Sequence, residues 1–132
     1  MSSSKIKTIF AGGGATGKTS IISVFMYDKF KQNTMMTVSP EKEYREIVTS
    51  KGAVVPLEVW DTAGQERYRS VNRIYYKNAK IAFIVYDISK PETFEEAETY
   101  WIPETKSILG DTAGKLALYD IIFICSYCAC WQ

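Results

Sequence analysis

Gly12-Gly13-Gly14-Ala15-Thr16-Gly17-Lys18-Thr19 is the stretch that decides how this chain is read. It fits the pattern G-x-x-x-x-G-K-[ST], which a random chain of this length would show about once in a few hundred. Its geometry serves one chemistry. Glycines let backbone N–H groups converge on phosphate oxygens, the N-terminus of a following helix adds positive potential, and a lysine adds a full charge. Lys18 is that lysine, Thr19 offers a hydroxyl to a divalent cation, and the cradle runs from Gly12 to Ser20. The alternative, a flexible glycine turn, fits the flanks less well. Ile6, Thr8, Ile9 and Phe10 form a β-prone run before the loop. Ile21, Ile22, Val24 and Phe25 recur at helical spacing after it. Strand, glycine loop, helix is the order that a phosphate-binding loop requires.

A second motif lies downstream. Asp61-Thr62-Ala63-Gly64-Gln65-Glu66 closes the run Val54-Val55-Pro56-Leu57-Glu58-Val59-Trp60, in which Val55, Leu57 and Val59 share one face. A carboxylate at the C-terminal end of a strand is where an α/β sheet presents ligand-binding groups. Asp61 can hold Mg2+ through water, Gly64 can give a backbone N–H to a γ-phosphate, and Gln65 can orient an attacking water. Taken alone the segment reads equally well as an aspartate turn; the phosphate loop tips the balance.

Composition bounds the rest. A chain of 132 residues suits one domain with a real core. A net charge of +1, with no basic stripe, argues against a nucleic-acid partner. Residues 1–5, Met-Ser-Ser-Ser-Lys, offer neither the apolar run of a signal peptide nor the glycine needed for myristoylation. All the cysteines, Cys125, Cys128 and Cys130, fall in the last eight residues, which fits a reducing compartment. Cys125 and Cys128 have C-x-x-C spacing, but a zinc site would need a fourth ligand, and the chain has no histidine.

Residues 41–60 read as a β-hairpin turning at Lys51-Gly52, and Ile81-Ala82-Phe83-Ile84-Val85-Tyr86 as a parallel strand buried on both faces. Phe94, Ala97, Trp101 and Ile108 mark the core stripe of a helix that follows Pro91, and Pro103 should kink that helix or start a second segment. Asp111-Thr112-Ala113-Gly114 repeats the earlier string but ends no strand, and reads as a loop coincidence.

Together the phosphate loop, Trp60-Asp61-Thr62-Ala63-Gly64-Gln65-Glu66-Arg67-Tyr68, Tyr75-Tyr76-Lys77-Asn78-Ala79 and Ile84-Val85-Tyr86-Asp87-Ile88-Ser89 resemble a small GTPase of the Ras superfamily, specifically the Rab family. The resemblance covers roughly residues 5–110. It implies an α/β fold of the P-loop NTPase class, a mostly parallel six-stranded sheet flanked by helices. It implies GTP/GDP and Mg2+ as cofactors, with Lys18 on the β- and γ-phosphates and Thr19 as the first metal ligand. Thr37, nineteen residues after Lys18, matches the switch threonine that binds metal and senses the γ-phosphate, with Thr34 as a competitor three residues short. Phe30, twelve residues after Lys18, matches the aromatic that packs on guanine, or else is a core aromatic capping the first helix. Gln65, Lys18 and Thr37 are the implied catalytic set. Arg67 and Arg69 are expected on the surface of the second switch rather than placed as a finger. The implied partners are an exchange factor, a GTPase-activating protein and effectors. The implied location is cytoplasmic, and peripheral on endosomal membranes if the chain is prenylated.

The chain also departs from the family. Val38-Ser39-Pro40-Glu41-Lys42-Glu43-Tyr44 puts Ser39 at a glycine position and charge at an aromatic one, with Tyr44 a substitute after a one-residue shift. The guanine-selecting Asn-Lys-x-Asp motif and the later Ser-Ala-Lys motif are absent, and Asp120 is a weak stand-in for the guanine ligand. Cys128-Ala129-Cys130 is similar to a prenylation end but is followed by Trp131-Gln132. The expectation is therefore a GTPase-like domain over 1–114, with the C-terminal third of the family domain missing as in a truncated product. A divergent hydrophobic tail over 115–132 has the composition of a buried fifth strand. The leading function is a GTP-hydrolysing switch in vesicle traffic. The rivals are a non-catalytic interaction module and an ATP-using P-loop protein.

Overall fold

The computed structural model describes residues 5–30, 40–64, 66–109 and 121–125. Its centre is β1 (Ile6–Gly12), which leads into the loop and α1 (Lys18–Tyr27). A hairpin follows, β2 (Glu41–Val48) and β3 (Val54–Asp61), then a short 3-10 turn and α2 (Arg69–Tyr76). β4 (Ile81–Tyr86) precedes a rod made of α3 (Pro91–Glu96), a π-helical turn (Ala97–Trp101) and α4 (Ile102–Leu109). β5 (Ile121–Cys125) completes the described elements.

The sheet order is β2-β3-β1-β4-β5. β1 pairs parallel with β3 and with β4, and β4 pairs parallel with β5. Only β2 runs antiparallel, as the near half of a hairpin must. The mostly parallel sheet of the expected fold is therefore present, with five strands among the described residues. The boundary expected at 114/115 lies outside the described residues, and β5, beyond it, is bonded to β4 from Ala82↔Ile121 to Tyr86↔Cys125. Asp111 to Gly114, Asp120, Cys128 and Cys130 also lie outside them.

Alternation along β1 builds two core layers at once. Phe10 faces one side, with Leu57, Val59, Val85 and Ile22 of α1, and Phe25 and Ile21 pack against this group. Ile9 and Ala11 face the other side, with Ala82, Ile84, Tyr76, Ala79, Ala97 and Trp101. Each fully buried large apolar side chain is worth about 1.5–3 kcal/mol, so both faces of β1 are needed to hold the loop at its end.

The rod after β4 differs from the expected stripe in two ways. Ala97 and Trp101 are buried, but Phe94 is 37% exposed and lies edge-on against Tyr86 instead of in the core. The helical period is also interrupted. Pro103 has no N–H to give to Thr99, and its ring crowds that carbonyl. The turn before it widens, so that the Ile102 N–H reaches back to the Ala97 carbonyl. Trp101 is thereby rotated out of step with Phe94. Among the described residues no helix is long and apolar enough to cross a membrane.

Candidate functional site

β1 ends where β4 leaves no room for a side chain. A Cβ on Gly12, at φ +143°, would lie 2.2 Å from the Val85 carbonyl oxygen. Beyond it, Ala15 (φ 58°) and Gly17 (φ 95°) take left-handed conformations, the alternation that makes concave nests of backbone N–H groups. Thr16 is buried, and its hydroxyl donates to the Gly13 carbonyl at 2.9 Å, closing the turn from within. Gly17 caps α1, so the helix N-terminus opens directly into this nest.

Lys18 is 6% exposed, and its ammonium donates to the carbonyls of Gly12 (2.9 Å) and Gly13 (2.7 Å). Burial pushes its pKa down to about 8, against the opposing pull of Asp61 and Glu96. A cation hydrogen-bonded this way to carbonyls can exchange them for phosphate oxygens without further desolvation.

The second motif closes on the first. Asp61 is buried at the end of β3, and the Thr19 hydroxyl donates to its Oδ2 at 2.5 Å. Thr62 donates to the Phe10 carbonyl, and Asn72 of α2 donates to the Ala63 carbonyl, which ties the segment to β1 and to α2. Gly64 then lies on the loop itself: a Cβ there would stand 2.5 Å from the Gly13 carbonyl carbon and oxygen and 2.6 Å from the Gly14 nitrogen. Only a residue without a side chain fits this approach. The residues therefore suit a polyphosphate and a hard cation. The cradle is one that any Cβ would fill, and the paired hydroxyl and carboxylate oxygens are the donor type that Mg2+ takes.

The other expected residues divide. Ser20 follows Thr19 into α1, half-buried. Phe30 is 40% exposed and belongs to neither core layer, so it does not cap the first helix as a core aromatic. Thr37, Thr34 and Gln65 lie outside the described residues. The register of the hairpin is regular, with Lys42 opposite Trp60 and Tyr44 opposite Glu58. Trp60 instead packs against Tyr75 (5.3 Å between ring centroids), with the ammonium groups of Lys7 and Lys42 at 4.9 and 5.6 Å from its ring.

Arg69 begins α2 half-buried, ion-paired with Glu96 and stacked over the Tyr100 and Trp101 rings at 3.7 and 5.2 Å. Glu96 also reaches the phosphate loop, since a Cβ on Gly13 would lie 2.7 Å from its Oε2. No motif or spacing in the sequence pointed to Glu96, because its neighbours at the site are distant along the chain.

A model of the Ras family matches residues 7–122. The chain is 38% identical over 107 residues to the Ras-related protein RABA3 of Arabidopsis thaliana, covering 81% of this chain and 44% of that one. It is 39% identical over 102 residues to the human Ras-related protein Rab-4B, covering 77% and 47%. It is 34% identical over 114 residues to the GTP-binding protein YPT52 of Saccharomyces cerevisiae, covering 81% and 48%. The chain spans about half the length of the curated relatives it matches.

Proposed function

Because this chain belongs to the Ras family, we propose that it is a Rab-like guanine-nucleotide switch that holds Mg·GTP on the loop Gly12–Ser20 and hydrolyses it to GDP, within the machinery of vesicle traffic. The observation that carries this reading is the contact between Gly64 and the Gly13–Gly14 backbone, which joins the two motifs into one site.

In this reading Lys18 gives up the carbonyls of Gly12 and Gly13 for the β- and γ-phosphates, and the loop amides and the α1 N-terminus take the rest of the charge. Thr19 and Asp61 hold the metal, joined by Thr37. Bound Mg2+ would neutralise charge shared by the β- and γ-phosphates. Phe30 stacks on the base, the Gly64 N–H reaches the γ-phosphate, and Gln65 orients the attacking water. The catalytic set is Gln65, Lys18 and Thr37, and a GTPase-activating partner raises the rate by about 10³–10⁵. The GTPase-like portion is 1–114, with 115–132 contributing β5. An exchange factor and effectors complete the cycle, and membrane attachment depends on lipidation.

One observation favours a second reading, a Rab-like interaction module with weak or absent nucleotide binding. After β5 the chain reads Ser126-Tyr127-Cys128-Ala129, with no carboxylate for the guanine ring where the family motif would stand. Titration with fluorescent GDP in Mg2+ separates the two. The switch reading expects saturable binding at micromolar concentration or tighter, weakened about tenfold to a hundredfold by Lys18→Ala through loss of charge-assisted hydrogen bonds. No binding by a folded chain establishes the module. For the chemistry, single-turnover GTP hydrolysis should slow markedly in Gln65→Leu, and equal rates would remove Gln65 from the catalytic set.

A further inference from the structure

Glu96 is the last residue of α3, and its two carboxylate oxygens face different elements. Oε1 accepts from the guanidinium of Arg69, the first residue of α2. Oε2 faces the phosphate loop at Gly13, where a Cβ would lie 2.7 Å from it. The same carboxylate, together with Asp61, acts electrostatically on Lys18. Arg69 is held in turn against the rings of Tyr100 and Trp101, on the π-helical turn beyond Glu96. One acidic side chain thus touches the loop that reads phosphate and the residue that begins the helix after the second motif.

The charges give this contact a direction. With the loop free of phosphate, Glu96 is balanced by two cations, Lys18 and Arg69. A polyanion on the loop claims Lys18 and adds negative charge beside Glu96. Its remaining partner is Arg69, and in that low-exposure setting a one-sided pairing strengthens. We propose that Glu96 is a positioning residue which couples phosphate occupancy of the loop to α2 through Arg69, drawing the start of α2 against the α3–α4 rod when a triphosphate is bound. The proposal deepens the switch reading and rests on it for its ligand.

The test uses the full chain and two readouts. In the phosphate-free protein, backbone hydrogen exchange over residues 12–19 should quicken severalfold in Glu96→Gln and in Arg69→Gln alike. Among the described residues Arg69 has no hydrogen bond to that loop, so a purely local role at α2 would leave those amides unchanged. In nucleotide competition, Glu96→Gln removes one repulsive charge and should raise affinity for Mg·GTP roughly threefold more than for Mg·GDP, the scale of a partly exposed charge pair. Glu96→Asp, charged but shorter, should keep the wild-type GTP/GDP ratio while the loop exchange still quickens. Unchanged loop exchange in both Gln variants, or an equal change in GTP and GDP affinity in Glu96→Gln, would overturn the coupling. A wild-type chain that binds neither nucleotide sinks the switch reading instead, and the exchange comparison then decides the coupling by itself. If Arg69→Gln does not fold, Glu96→Gln, which keeps side-chain shape and hydrogen bonding, carries the exchange test.

Discussion

The phosphate loop and the seam between α2 and the α3–α4 rod are neighbours, yet they are specified by different means. The loop is fixed by backbone: Gly12 is pressed on the Val85 carbonyl, Gly64 on Gly13 and Gly14, and the buried Lys18 ammonium donates to two carbonyls. The seam is fixed by side chains, and many of its polar atoms are unsatisfied. Arg69 Nε, Asn72 Oδ1, Trp101 Nε1 and Thr105 Oγ1 are buried with no hydrogen-bond partner among the described residues. Each such atom costs about 1–3 kcal/mol unless water reaches it. Beside the backbone-fixed loop there thus lies an interface held by side chains, the pairing of reader and reporter that the proposed switch would use.

Three substitutions break or sharpen this contrast. The largest effect belongs to Gly12→Ala, which combines a positive-φ strain with a 2.2 Å clash on backbone that cannot yield. It should cost roughly 3 kcal/mol or more in urea unfolding, whereas Gly52→Ala, at φ +79° with open space around it, should cost about 1 kcal/mol. Equal midpoints for the two variants would mean that the loop is not rigid in the sense described.

The seam should show itself in alkali. Burial pushes the Tyr76 phenol well above its usual value of 10, against a smaller opposing pull from Thr62. Below pH 10 both folded and unfolded states keep the proton, so Tyr76 imposes no pH dependence. Above pH 10 the unfolded state alone releases it, and stability falls as pH rises. The unfolding free energy of wild type minus that of Tyr76→Phe should thus be flat to about pH 10 and then decline. A difference that stays flat to pH 11.5 would show that the phenol is not buried.

The smallest effect is expected from Thr105→Val. Its hydroxyl is fully buried without a hydrogen-bond partner among the described residues, so the isosteric swap should be neutral or stabilising by up to about 1 kcal/mol in thermal unfolding. Clear destabilisation would reveal a hydrogen-bonded water network and a stiffer seam than described.

Much of this was legible beforehand, and particular residues show why. The order strand, loop, helix around Gly12–Thr19 follows from local chemistry, as do the hairpin turning at Lys51-Gly52 and the buried β4, and the structure has all of them. The meeting of Asp61 with Thr19 was readable because each residue belongs to a motif with fixed spacing. Phe94 was misplaced because a period of 3.6 residues assumes an unbroken helix, and the widened turn before Pro103 shifts the phase. The resemblance places Arg69 on the second switch but says nothing of its partners, and Glu96 carried no signal at all. What half-buries the first and recruits the second is the packing of α2 on the rod, a long-range event that neither periodicity nor propensity encodes.

Sequence alone determined the phosphate cradle, since glycine spacing, one lysine and one threonine constrain backbone dihedrals and donor chemistry within a few bonds of each other. Tertiary structure alone decided that a glutamate on a third element would touch that cradle and hold an arginine from a fourth. A carboxylate's partners are set by distance in space, and distance in space is settled only when the layers of the sheet and its helices have packed.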